Sequence, residues 1–163
     1  MRVLVIGGAG FIGSHLARHH LDRGDAVTIL DNFSRFGSDL NAAWLQAAGG
    51  DRLRAVRADI TEFSDDLRAA VAGSDLVYHM AAQVAVTTSV TDPRDDFRTN
   101  ALDTFNVLEA VRLQLHDHRL GLALLIRAGA DGDRIARSEL RPQALVEQLL
   151  VVGDQRVRRL QDA

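Results

Sequence analysis

A doubly wound α/β fold on a parallel sheet is the fold class this sequence predicts, and three observations predict it. Strand-like and helix-like stretches alternate through the first 113 residues. The first strand-like stretch breaks into glycines that open a helix. The second ends in a carboxylate about 20 residues beyond those glycines.

The elements follow in order. Arg2-Val-Leu-Val-Ile6 reads as a short buried strand. Gly7, Gly10 and Gly13 follow at G-x-x-G-x-x-G spacing, and residues 14–23 read as a helix. A strand that turns through glycines into a helix is a phosphate-binding device. The helix start offers unpaired backbone N–H groups and a positive dipole end, and glycines let the backbone approach a pyrophosphate. The same turn also serves plain helix-on-strand packing, so context has to decide. Residues 26–30 form the second strand, ending at Asp31, where a carboxylate can take the adenosine ribose hydroxyls. A carboxylate there repels a 2′-phosphate and favours NAD over NADP. Arg35 pulls the other way, since a guanidinium could hold that phosphate.

Asn32 begins a polar loop, and residues 39–48 read as a short helix with Leu40, Trp44, Leu45 and Ala48 near helical spacing. Leu53–Arg57 is the third strand. Ala58-Asp59-Ile60 follows, then an expected cap at Thr61 and a helix to Ala72, with Asp59 itself a competing cap. Leu76–His79 is the fourth strand. Gln83 to Pro93 reads as a loop. Residues 94–113 carry a helical period at Phe97, Ala101, Phe105, Leu108 and Val111. Right-handed crossovers give a local strand order 3-2-1-4.

Beyond Leu113 the character changes. Residues 120–126 are a continuous apolar run that suits a strand or a helix, and 142–152 read as a helix. As a strand, 120–126 would pair in parallel with Leu76–His79 and cover an otherwise open sheet edge. The sequence therefore divides at about residue 113, with 1–113 as the cofactor-binding region and 114–163 as a divergent tail.

Composition bounds the function. With 163 residues, 47% apolar and 25% charged, the chain suits one soluble domain with a real core. A net charge of −3 predicts neither nucleic acid nor an anionic membrane as partner. The first strand begins at residue 2, so no signal peptide is expected, and the expected location is cytoplasmic. There are no cysteines, hence no disulfide frame and no thiolate metal site. His116 and His118 flank Asp117 without a further ligand cluster, and no metal site is expected. All 19 basic Lys/Arg residues are arginine, so a mechanism that needs a lysine finds none here.

The motifs at 7–13, Asp31-Asn32, Asp59-Ile60 and His79-Met80-Ala81-Ala82-Gln83 occur in the order found in extended short-chain dehydrogenase/reductases, the NAD-dependent sugar-nucleotide epimerases and dehydratases, which the chain resembles over residues 1–113. Two stretches, Asn41-Ala-Ala-Trp44-Leu45 and Gln83 to Pro93, look most like the CDP-paratose (CDP-tyvelose) 2-epimerase group. The resemblance implies a Rossmann-type sheet, shorter here than in the family. It implies that Gly7, Gly10, Phe11, Ile12 and Gly13 hold the pyrophosphate and that Asp31 and Asn32 take the ribose. Asp59 and Ile60 would meet adenine, and Ala81, Ala82 and Gln83 would flank the nicotinamide ribose. Asn100 would support the loop or the cofactor, and Thr87, Thr88 and Ser89 would face a nucleotide sugar. His79 reads as a packed strand residue, and Trp44 as a packing residue. Arg94, Arg98 and Arg112 read as a solvated helix face.

The family's chemistry, as the resemblance implies it, needs a tyrosine base whose pKa is lowered by a lysine four residues on. The one tyrosine is Tyr78, inside the fourth strand, and there is no lysine, so no catalytic residue is assigned. Read one nucleotide later, codons available to residues 149–159 spell Ser-Ser-Ser-Ser-Ala-Thr-Asn-Val-Tyr-Gly-Asp, which resembles the family's missing segment. A shifted frame after about residue 113 is therefore expected to account for the tail. Three readings compete: an active epimerase or dehydratase, a cofactor-binding module without turnover, and a truncated or frameshifted fragment.

Overall fold

The structure is a computed structural model that describes residues 1–83 and 90–114, together with the backbone of 121–124. β1 (Arg2–Ile6) leads through the glycine turn into α1 (Phe11–Asp22). β2 (Ala26–Asp31), α2 (Ser38–Gly49), β3 (Leu53–Arg57), α3 (Asp65–Ala72) and β4 (Leu76–His79) follow. Then come α4 (Pro93–Phe97), a π-helical turn (Arg98–Leu102), α5 (Asp103–Gln114) and β5 (Gly121–Leu124).

The five strands form one parallel sheet in the order β3-β2-β1-β4-β5. The 3-2-1-4 order read from the sequence is present. β5 adds to its far side with Leu76 opposite Gly121 and His79 opposite Leu124. β1 is central and buried on both faces, which is why Val3-Leu-Val-Ile6 is an unbroken apolar run. Leu4 and Ile6 join Leu67, Val71, Val107 and Val111 in a cluster between the sheet and α3 and α5. Successive side chains alternate, so Val3 and Val5 face the other way, toward the layer of α1 and α2. Among the described residues β3 forms the outer rim of the sheet, where Arg54 and Arg57 are exposed.

Two expectations are corrected. Thr61 is not the cap of α3. Ser64 is, its hydroxyl accepting the Leu67 N–H at 3.2 Å, and Asp59 does not cap this helix either. The cap lies one residue before the first helical residue, and Asp59 and Thr61 form a tighter local turn upstream. The second correction concerns the apolar stripe on 94–113. Phe97 is 66% and Phe105 60% exposed, and Ala101 and Leu108 are exposed as well. The buried side carries Asp103, Asn106, Val107, Ala110 and Val111. The π-helical turn is the physical reason, because its wider winding puts the residues before and after it out of phase with a 3.6 period. Trp44 is partly exposed and meets the His15 ring edge-on at 5.7 Å. Arg94, Arg98 and Arg112 are exposed.

The helix expected at 142–152 lies outside the described residues. So do Thr87, Thr88 and Ser89.

Candidate functional site

A parallel sheet gathers all its strand ends at one edge. Where the strand order reverses, between β1 and β4, the loops leave in opposite directions and a crevice opens. Here that crevice is a cavity of about 340 Å³. Its wall includes Gly7 and Gly10 from the first turn and Asp31, Asn32 and Arg35 from the end of β2. Ala58, Asp59 and Ile60 come from the end of β3, Met80 to Gln83 from the end of β4, and Thr99 and Asp103 from the helix beyond.

The glycine turn is set by packing as much as by openness. A Cβ on Gly13 would lie 2.1 Å from the Gly7 carbonyl oxygen, and one on Gly7 would lie 2.6 Å from the Ala81 nitrogen. Gly7 also has φ of +74°, which a side chain resists. Gly8 is equally constrained, against Ile29 at 2.6 Å, and the 7-10-13 spacing overlooks it. Gly10 differs. It lines the cavity, and its nearest hypothetical contact is 3.2 Å. It is also the N-cap of α1, with no side chain capping it, so the helix start keeps N–H groups for an outside acceptor. Phe11, Ile12 and Gly13 sit in the first turn of α1 behind this opening and do not line the cavity, Phe11 being exposed.

Asp31 ends β2 and is held by two backbone donors. The Ala9 N–H donates to Oδ2 and the Phe33 N–H to Oδ1, both at 2.9 Å. The carboxylate thus clamps the glycine turn while lining the cavity. Asn41 adds a second tie, its Nδ2 donating to the Ala9 carbonyl at 2.8 Å, a role the sequence did not signal. Asn32 donates to Asp59 Oδ2 at 3.1 Å, and the Thr61 N–H donates to Asp59 Oδ1 at 2.9 Å. Partial burial pushes the Asp59 carboxyl up, and these hydrogen bonds outweigh it, so its pKa lies below the ordinary value. Asn106 on α5 fixes the same loop, donating to the Ile60 and Thr61 carbonyls at 2.8 and 3.2 Å.

At the β4 end, Ala81 and Ala82 present small side chains to the cavity. Gln83 N–H donates to Asn100 Oδ1 at 2.9 Å, so Asn100 supports the loop from the π-helical turn and does not line the cavity. Arg35 Nη2 donates to Gln83 Oε1 at 2.9 Å, linking the loops after β2 and β4. Sequence reasoning missed Ser34, Ser38, Thr99, Asp95 and Asp103 as lining residues. Asp103 is the most unusual of them. It is 3% exposed, its Oδ1 lacks a hydrogen-bond partner among the described residues, and burial, then the Asp59 charge, pushes its pKa up to about 6.

His79 is buried, its Nε2 lies 3.2 Å from the Thr104 hydroxyl, and burial pushes its pKa down to about 4. Tyr78 is buried and belongs to a different network. Its hydroxyl lies 3.3 Å from His20 Nε2, and His20 Nδ1 lies 2.8 Å from Asp25. Burial pushes the phenol up to about 12. Among the described residues, no group of three or more His, Cys, Asp or Glu could hold a metal ion, and no helix is long and apolar enough to cross a membrane.

The motif order and this geometry meet in the comparisons with known proteins. The family described as GDP-mannose 4,6 dehydratase matches residues 4–123. The chain belongs to this family. CDP-paratose 2-epimerase from Salmonella typhi is 41% identical over 113 residues, and a dTDP-glucose 4,6-dehydratase from Mycobacterium tuberculosis is 40% identical over 116. Each alignment covers 69% of this chain and 33% of the relative. The chain therefore spans about a third of the length of the curated relatives it matches. Among solved structures, UDP-glucose 4-epimerase from Thermus thermophilus in complex with NAD superposes with a TM-score of 0.59 at 39% identity, over 70% of this chain and 34% of that one. The dTDP-glucose 4,6-dehydratase from Streptomyces venezuelae with NAD bound gives 0.63 at 34% identity, over 70% and 36%. The family resemblance drawn from the motifs is thus borne out, and the sheet is the Rossmann-type arrangement of these epimerases and dehydratases.

Proposed function

We propose that this chain binds NAD through the adenosine and pyrophosphate half of the cofactor, and that by itself it does not turn over a nucleotide sugar. The observation that carries the first part is convergence. Gly10, Asp31, Asp59 and the residues 81–83 come from four separate strand ends and line one cavity at the switch point. In this reading the open start of α1 takes the pyrophosphate, Asp31 the ribose hydroxyls, Asp59 and Ile60 the adenine, and Ala81 to Gln83 the nicotinamide ribose. The donor set fits: an uncapped helix start for an anion, a carboxylate for vicinal hydroxyls, and small side chains where the ligand must lie close. NAD, when bound, supplies hydride acceptance and return. Thr87, Thr88 and Ser89 are assigned to the sugar on the motif resemblance alone.

The second part rests on the missing base. Tyr78 is the one tyrosine of the chain, its hydroxyl is engaged with buried His20, and its pKa is pushed away from any neutral-pH role. No lysine is present to lower it. A nucleotide sugar as partner, supported by the family, and a cytoplasmic setting belong to the same proposal. One observation favours a competing reading, a frameshifted and non-functional segment: the codons available to residues 149–159 spell a family-like stretch in another frame. The nucleotide sequence decides that point.

Calorimetric titration with NAD, NADP and ADP-ribose tests the binding proposal. NAD is expected to bind, ADP-ribose to bind nearly as tightly, and NADP at least several-fold more weakly because of the Asp31 charge. Absence of binding, or equal affinity for NAD and NADP, overturns it. Incubation with NAD and CDP-paratose, followed for inversion at C2 of the sugar, tests the second part, and turnover above background would overturn it.

A further inference from the structure

Asp103 opens α5 directly after the π-helical turn, lines the cavity and is 3% exposed. Its Oδ1 has no hydrogen-bond partner among the described residues. Folded proteins leave few buried polar atoms unpaired, because each carries its full desolvation cost. At a cavity wall such an atom points to a donor that arrives with a ligand.

The neighbouring donors are engaged elsewhere. Asn106 donates its Nδ2 to the Ile60 and Thr61 carbonyls. The Thr104 hydroxyl donates to the Asn100 carbonyl at 2.7 Å. Asn32 and the Thr61 N–H are taken by Asp59. Most side-chain donors at this end of the cavity are therefore committed to protein acceptors, while the Thr99 hydroxyl also lines it.

We propose that Asp103 is a second base-recognition carboxylate, accepting a hydrogen bond from the exocyclic amine of the ligand's base, so that the cavity selects a 6-amino purine over a 6-oxo purine. A carbonyl in that position would set acceptor against acceptor. The proposal rests on the reading of the cavity as a dinucleotide site and adds to it the group that discriminates the base.

The charges facing Asp103 give the selection a pH dependence. Asp59 from the loop after β3 and Asp95 from α4 repel its ionised form, and Arg98 from the π-helical turn opposes them. His79 on β4, which contacts Thr104, stays neutral down to about pH 4. Asp59 is held ionised by its own hydrogen bonds. Between about pH 5 and about pH 7.5 the group at this end that changes charge is Asp103. An amine pairs with the anion, so affinity for a 6-amino base rises across that interval.

The test titrates the full chain with NAD and with nicotinamide hypoxanthine dinucleotide, which carries a 6-carbonyl for the amine and a proton on N1. Both ligands are measured at about pH 5 and about pH 7.5 for the unmutated chain and for Asp103→Asn. A preference for NAD of roughly ten-fold or more is expected at the higher pH, shrinking at the lower. Asp103→Asn, which is isosteric, should cut that preference to a few-fold and flatten its pH profile, with an unchanged circular dichroism spectrum. If NAD does not bind the unmutated chain at all, the dinucleotide reading falls, and this proposal with it. If NAD binds but the preference and its pH profile are the same in both proteins, the role of Asp103 is overturned while the dinucleotide reading stands. The unmutated chain is a test without any substitution, since a preference that does not change with pH also overturns the proposal.

Discussion

The two edges of the sheet hold similar polar residues and treat them oppositely. At the amino edge, the Met1 ammonium lies 3.1 Å from Asp25, Asp25 holds His20, and His20 reaches Tyr78. Each of these side chains answers another inside the protein. At the carboxyl edge, Asp31 and Asp59 accept backbone N–H groups yet still line a cavity, and Asp103 Oδ1 has no partner among the described residues. The difference separates a structural network from a receptive one. A closed network contributes to stability, whereas an open one is less stable than it could be, which on the proposed reading is the state that a ligand completes.

Substitutions should split along the same line. The largest effect is expected at Gly13→Ala, whose Cβ would meet the Gly7 carbonyl at 2.1 Å. A loss of about 3 kcal/mol or more should appear in urea denaturation, or the protein should fail to fold. Gly10→Ala is the contrasting case, with a stability loss of about 1 kcal/mol or less and a larger loss of NAD affinity. Equal stability losses at the two positions would erase the distinction between packing and receptive glycines.

Next in size is the pH dependence of Asp103. Its folded pKa, about 6, lies above the unfolded carboxylate value, so the folded state binds the extra proton between about pH 4 and about pH 6. The contribution of Asp103 to stability is therefore greatest below about pH 4 and is lost as pH rises through about 6. Compared with Asp103→Asn, the unmutated chain should lose about 2 kcal/mol over that interval, read from denaturation midpoints at several pH values. His79, with a folded pKa of about 4, slopes the other way and is common to both proteins, so it cancels in the difference. A flat difference would show that Asp103 is already satisfied in solution.

Tyr78→Phe removes the hydroxyl beside His20 Nε2 at the amino edge. It should cost about 1 kcal/mol of stability and leave NAD affinity unchanged, as calorimetry would report. Asp31→Ala reverses that pattern in its main readout, weakening NAD roughly ten-fold and narrowing the gap to NADP, with a smaller stability loss from the freed Ala9 and Phe33 N–H groups. If Tyr78→Phe weakened NAD as much as Asp31→Ala does, the two edges would not be independent.

The sheet and most of the cavity were legible in the sequence for a common reason. Buried parallel strands are largely apolar, so Arg2–Ile6 and Leu76–His79 stand out from their polar borders, and the cavity residues Asp31 and Asp59 sit where β2 and β3 end. What was not legible depends on contacts between distant elements. Asn41 opens a family-like stretch and Asn106 lies within a helical one, yet only the folded arrangement brings them to the Ala9 and Ile60 carbonyls. Asp103 carries no signal in the sequence, the π-helical turn rotates it inward, and that same turn exposes Phe97 and Phe105. Thr61 and Ser64 are both plausible caps three residues apart, and loop geometry chose the second.

The rim strand β3 has a consequence for behaviour at high concentration. A parallel sheet leaves one row of backbone donors and acceptors unpaired along its outermost strand, a template on which another chain could continue the ladder. Arg54 and Arg57 stand exposed on this strand, with Arg57 further anchored over the Phe33 ring at 4.2 Å. Arg57 is paired with Asp39 at 3.1 Å, which leaves Arg54 as the unscreened charge opposing the approach of a second identical rim, and salt weakens that opposition. Colloidal stability should therefore depend on ionic strength through Arg54, and its replacement by a neutral β-former would convert a guarded rim into a sticky one.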